Sequence, residues 1–155
     1  MKKYTFIEIS CVFLVIIYIF ISVGNSGRTL KTSDEISSEV VSVFNDDALM
    51  KRDIDFIKKT FEIDLSEFSS VSYYSTDDVM NVGELFVGVL SESSTQDFSV
   101  IFEEYATDKF NLYDGYAPEQ TAYLDDFVMV LRNGAILFCV GKNAQCVLDA
   151  FYDAV

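Results

Sequence analysis

Cys11–Val23, CVFLVIIYIFISV, is a run of thirteen residues without a charge, and Thr5–Ile9 extends it upstream with only Glu8 interrupting. A helix needs about 20 mainly apolar residues to cross the hydrocarbon core of a bilayer. Thr5–Gly24 supplies that length if Glu8 lies at headgroup level, where its carboxylate reaches water or Lys2 and Lys3. The run therefore divides the chain into a membrane anchor over residues 1–24, a linker over 25–33 and a separate domain over 34–155. Lys2, Lys3 and the terminal amine favour a cytoplasmic N-terminus, and Arg28 and Lys31 weaken that bias without reversing it. The domain is then expected outside the membrane. A cleaved signal peptide is the alternative, with Ser22-Val23-Gly24 as the cleavage site and a secreted product. The bulky core and the missing Ala-x-Ala pattern favour the uncleaved anchor.

The remainder of the chain, beyond anchor and linker, is long enough for one domain with a modest core. From Asp34 onward there are 24 acidic side chains against seven basic ones, a formal charge of −17. A surface of that sign is repelled by phosphate backbones, so nucleic acid is not an expected partner. Basic partners and divalent cations remain compatible with it, and so does a merely solvated acidic face. There is no histidine in the chain. This removes the usual zinc sites, histidine-based triads and a pH switch near neutrality. Of the three cysteines, Cys11 lies in the anchor. Cys139 and Cys146 fall in a strand and the next helix, where two buried thiols or a disulfide are both open.

Local patterns order the domain. Thr32 with Glu35 forms a capping box, and Ile36, Val40, Val41 and Phe44 recur at helical spacing behind it, predicting a helix over Asp34–Asn45. Asp53 caps a second helix facing inward through Ile54, Ile57 and Phe61, and Asp64 caps a single turn reaching Phe68. Val71–Ser75 and Glu84–Leu90 read as strands, with Gly88 marking a bulge or a close backbone approach. A long helix is expected from Ser94 or Thr95 to Asp114-Gly115, its inward stripe being Phe98, Ile101, Phe102, Tyr105 and Leu112. Pro118 suits the first turn of a short helix reaching Leu124. Phe127–Arg132 and Ala135–Val140 flank Asn133-Gly134, a dipeptide that favours a two-residue type I′ hairpin. That turn pairs Leu131 with Ile136, Met129 with Phe138 and Phe127 with Val140 on one face. Both hairpin faces are apolar, which places the hairpin centrally in a sheet. Asn143–Ala154 closes the pattern as a helix burying Cys146, Val147, Ala150 and Phe151. The fold class is α+β, an antiparallel sheet of about four strands with packed helices.

From about Asp53 to Phe151 the chain resembles the domain of unknown function family 4358. The likeness is carried by Phe61-Glu62-Ile63-Asp64 after a helix, the Glu84–Val89 strand, Tyr116-Ala117-Pro118-Glu119-Gln120, and the hairpin around Asn133-Gly134. It departs at Gly88 and near Glu104, where the family often has a basic residue. The resemblance implies a small secreted lipoprotein or membrane-anchored protein of Gram-positive bacteria. It implies no catalytic or binding residue.

No catalytic constellation stands out. The acid pairs Asp46-Asp47, Asp77-Asp78, Glu103-Glu104 and Asp125-Asp126 are sequence neighbours, which point apart on a strand or helix, and no D-x-D-x-D-G calcium loop occurs. No serine sits in a G-x-S-x-G elbow, and no lysine is evidently buried beside a serine. Neither a metal ligand set nor a cofactor motif is present. The candidate binding residues are Tyr113, Tyr116, Glu119 and Tyr123 around Pro118, with Tyr73-Tyr74 as a neighbouring candidate, because clustered loop tyrosines suit protein or glycan contact. The expected function is a membrane-anchored, extracytoplasmic interaction or accessory module of the cell envelope with an envelope protein partner. The alternative is an envelope hydrolase or transferase using acidic residues in a cleft.

Overall fold

The computed structural model describes residues 31–94 and 96–155, so the apolar segment expected to cross a membrane lies outside the described residues. Among the described residues, no helix is long and apolar enough to cross a membrane. The elements in chain order are α1 (Ser33–Phe44), β1 (Met50–Lys51), α2 (Ile54–Phe61), β2 (Phe68–Ser75), β3 (Glu84–Leu90), α3 (Ser99–Tyr113), α4 (Pro118–Asp125), β4 (Val128–Arg132), β5 (Ala135–Val140) and α5 (Ala144–Ala154). A 3₁₀ turn, Leu65–Glu67, leads into β2. The strands form one antiparallel sheet in the order β1-β2-β3-β5-β4. It has five strands, one more than expected: the two-residue β1 pairs Met50 with Ser75 and Lys51 with Tyr74. Two exposed residues carry no periodicity that a sequence reading can detect.

Helices cover both faces of this sheet, and strand alternation decides which residue meets which layer. On one face Phe61 of α2 lies against Tyr73, Phe86, Phe102, Tyr105 and Phe138, at ring-centroid separations of 4.7 to 6.2 Å. Mostly edge-on and tilted pairs of this kind add about 0.5–1.5 kcal/mol each beyond area burial. On the other face Ile36, Val40 and Phe44 of α1 and Val147, Phe151 and Ala154 of α5 bury Leu85, Val87, Leu137 and Cys139. β3 and β5, apolar in both directions, are the strands covered on both sides.

The capping signals hold. The Thr32–Glu35 box is formed in both directions, Asp53 accepts from Phe56 N, and Asp64 accepts from Ser66 N. Asn133 and Gly134 have φ of 52° and 79°, as a type I′ turn requires. The hairpin register matches the expected pairs from Leu131↔Ile136 to Val128↔Cys139, and the ladder stops there, short of Phe127 and Val140.

Other expectations are corrected. The hairpin is not central as a whole: β5 is, but β4 forms the sheet edge with Leu131 55% exposed. The long helix begins at Ser99, not Ser94 or Thr95, because Asp97 accepts from Ser99 N at 3.0 Å while Phe98 turns into the core against Phe68. Leu112 is 69% exposed; in the last turn Phe110 and Tyr113 face the core instead. Cys146 is exposed and Cys139 buried, both as free thiols. The buried stripe of α5 runs Ala144, Val147, Phe151, Ala154, and Cys146 lies about 100° off it.

Gly88 marks a close approach, as expected. A β-carbon there would lie 2.6 Å from Cε1 of Phe68. The ring of Phe68 fills the space into which a longer side chain at this position would project.

Candidate functional site

Tyr113 ends α3, and Gly115 at φ +84° turns the chain toward α4, where Pro118 takes the first turn. The two tyrosines flanking this turn stack, with centroids 5.6 Å apart and planes 23° from parallel. The Tyr113 hydroxyl donates to the Val79 carbonyl at 2.7 Å, which ties the pair to the loop between β2 and β3. Burial, with Tyr116, Glu84 and Asp78 nearby, raises the Tyr113 hydroxyl above the usual phenol range, so it stays a proton donor. Tyr116 is 57% exposed, and Val79 and Met80 on the adjoining loop are 78% and 51% exposed. Loop and turn together form an exposed aromatic and aliphatic surface.

Glu119 and Tyr123 form a separate pair. One turn apart on α4, they meet through a 2.7 Å bond from the Tyr123 hydroxyl to Glu119 Oε1. Tyr123 faces a cleft of about 300 Å³ that Tyr113 and Tyr116 do not line. The four expected residues thus split into two pairs on two surfaces. A shallow groove of about 420 Å³ between α3 and α4 is lined by Phe110, Pro118, Thr121 and Asp125, among others, and by none of the four.

Tyr73 is no surface residue. It is 1% exposed, and its hydroxyl donates to Glu84 Oε2 at 2.6 Å. Glu84 is the polar centre that a sequence reading misses. Its side chain is fully buried where β3 begins, Tyr105 of α3 donates to the same oxygen at 2.9 Å, and Lys109, one turn on, reaches Oε1 at 2.9 Å. Burial first, and the Glu84 carboxylate second, push both tyrosine hydroxyls far above the phenol range. The carboxylate is therefore held by two obligate donors and one cation, as a buried charge requires. The signal was a lone acid opening an apolar strand, with Tyr105 and Lys109 at helical i, i+4 spacing downstream.

This constellation is structural. With Glu84 enclosed and its donors in place, no substrate atom can approach it. The nearest thing to a Ser–Lys arrangement, Ser72 with Asp34 and Lys51, is no better suited to attack. Ser72 is buried, donates to Asp34 and also bonds the Ser33 hydroxyl, fastening α1 to β2, while Lys51 neutralises Asp34. Hydrogen bonds from Lys51 and Ser72 hold the Asp34 carboxyl below its ordinary range.

The acid pairs are dispersed. Asp46 accepts from Ala48 N and Asn81 Nδ2, Asp77 pairs with Arg52, and Asp78 accepts from Met80 N. Among the described residues, no three His, Cys, Asp or Glu side chains form a group able to hold a metal ion.

The family profile of a domain of unknown function, DUF4358, matches residues 42–141. No curated protein and no solved structure matches the chain.

Proposed function

Since the chain belongs to the DUF4358 family, whose description names no activity, we propose from the site geometry that the domain is a partner-binding module of the cell envelope. In this reading the apolar segment Thr5–Gly24 carries it on the outer side of a membrane, and its task is recognition and not chemistry. The observation behind it is the stacked Tyr113–Tyr116 pair, fixed to Val79 and contiguous with exposed Val79 and Met80. Aromatic side chains immobilised before contact contribute interface area at little entropic cost, which is why they anchor interfaces. Asp78, whose field reaches Tyr113, and Asp114 beside the turn give this surface an acidic rim. The partner that fits is a protein segment with apolar side chains flanked by lysine or arginine.

The test is Tyr116→Ala. With the ring more than half in solvent, the substitution should leave the melting temperature nearly unchanged, because surface changes stay within about 0.5 kcal/mol. Partner recovery in a crosslinked pull-down from native membranes should fall sharply. A loss of stability of about 3 kcal/mol or more, the range of buried aromatic truncations, would make the ring a core element and end the interface reading. Undiminished recovery by a stable variant would end it as well.

A further inference from the structure

At one end of the sheet, where β3 starts and β5 stops, three carboxamides from distant parts of the chain, Asn81, Gln120 and Asn143, meet around the 300 Å³ cleft, which Asn45 also lines. Each of the three is oriented by a backbone partner, which removes the usual ambiguity between amide oxygen and nitrogen. Asn81 Oδ1 accepts from Gly83 N at 2.8 Å and its Nδ2 donates to Asp46 Oδ2 at 3.0 Å. Gln120 Oε1 accepts from Val82 N at 3.0 Å, so its amide nitrogen is turned away from that bond. Asn143 Nδ2 donates to the Phe44 carbonyl at 2.9 Å, which leaves its oxygen as the outward group. Both residues line the cleft, and beyond these bonds Gln120 offers its amide nitrogen as a donor and Asn143 its amide oxygen as an acceptor. Lys142 adds a cation to balance Asp46. Tyr123, held through its hydroxyl by Glu119, contributes an aromatic ring to the lining.

We infer that this cleft binds a neutral saccharide unit. Prearranged amide donors and acceptors match sugar hydroxyls, and an aromatic ring in the lining suits the C–H face of a pyranose ring. The lining carries one acid and one base, so within a strongly acidic domain the cleft selects neither anions nor cations. A peptide added as a strand is disfavoured, because β3 and β5 have no free edge here: Glu84 is already paired with both Ser75 and Val140. A helix lacks the apolar trough it would need. The volume lies at the small end of about 300–1,000 Å³ for ligand sites, which suits one sugar ring or two. The cleft shares no residue with the partner-binding surface, and the two readings stand or fall separately.

The test uses the full-length chain, kept in a detergent without a sugar headgroup, titrated by calorimetry with neutral trisaccharides of glucose, galactose, mannose and N-acetylglucosamine. At least one should bind saturably. The decisive variant is Gln120→Glu: a carboxylate still accepts from Val82 N but loses the outward donor. Affinity should fall by about tenfold, the loss of one good hydrogen bond at 1.4 kcal/mol per decade, with melting unchanged. Tyr116→Ala should leave sugar affinity intact. Absence of saturable binding by the whole panel up to about 10 mM, above the millimolar range of weak sites, would overturn the inference. Binding equal in wild type and Gln120→Glu would overturn it too. If Gln120→Glu lowers the melting temperature, Lys142→Ala, which removes an exposed ammonium donor to sugar hydroxyls from the cleft lining, takes its place with the same expectation.

Discussion

At the scale of single residues, the domain's most consequential polar group is Glu84, and its environment is asymmetric. The carboxylate is sealed from water, whereas the Lys109 side chain keeps 22% of its surface exposed. Removing one member of a buried pair strands the other, at about 3–5 kcal/mol when the stranded charge cannot reach solvent. Lys109→Met should therefore cost about that much, because Glu84 keeps only its two tyrosine donors. Glu84→Gln should cost less, because Lys109 can swing outward and a glutamine oxygen still accepts from Tyr73 and Tyr105. The double variant should recover part of the Lys109→Met loss, the mark of a coupled pair. Chemical denaturation of wild type, both single variants and the double decides the matter; a Lys109→Met protein as stable as wild type would show that the pair contributes nothing. Gly88 is governed by sterics alone, with Phe68 occupying the volume a side chain would need.

At the scale of elements, local chemistry and tertiary contact agree most closely in the β4–β5 hairpin. Both turn residues take positive φ, and only glycine does so without penalty. Gly134→Val should destabilise the domain by about 1–3 kcal/mol, the cost of a β-branched residue forced into strained dihedrals. Thermal melting measures this directly, and an unchanged midpoint would mean that the turn can relax to another type. β4 itself shows the limit of pattern reading. VMVLR looks like a strand buried on both faces, yet it lies at the edge, since β5 takes its second neighbour from β3. Hydropathy reports how apolar a strand is; its place in the strand order depends on which partner arrives on the other side.

At the scale of the whole molecule, two helical layers clasp one sheet, and the surface carries a large negative charge. If the apolar N-terminal segment spans a membrane with Lys2 and Lys3 inside, protease added to wall-stripped cells should digest the domain and leave the N-terminal lysines protected. Protection of the entire chain until lysis would reverse the topology, and a mature protein beginning near Asn25 would point to signal cleavage. The aromatic face and the amide-lined cleft share the loop from Asp78 to Gly83: Val79 and Met80 belong to the first, Asn81 to the second. The two proposed recognition surfaces thus meet on one short connection.

The amino-acid sequence by itself determined the elements whose causes are local: the Thr32, Asp53 and Asp64 caps, the Asn133-Gly134 turn, and the apolar character of β3 and β5. Each depends on residues within a few positions of one another, so a linear reading can find it. Clustering of Tyr113 with Tyr116 and of Glu119 with Tyr123 was equally local, though their division between two surfaces was not. Tertiary structure alone decided the strand order, the addition of β1, the burial of Tyr73 and the exposure of Cys146. It also assembled Glu84 with Tyr73, Tyr105 and Lys109, and Asn81 with Gln120 and Asn143. The physical reason is common to all of these. Desolvation of a polar side chain, and the partner that makes it tolerable, are set by packing between segments distant in sequence, and no local pattern records which segments will meet.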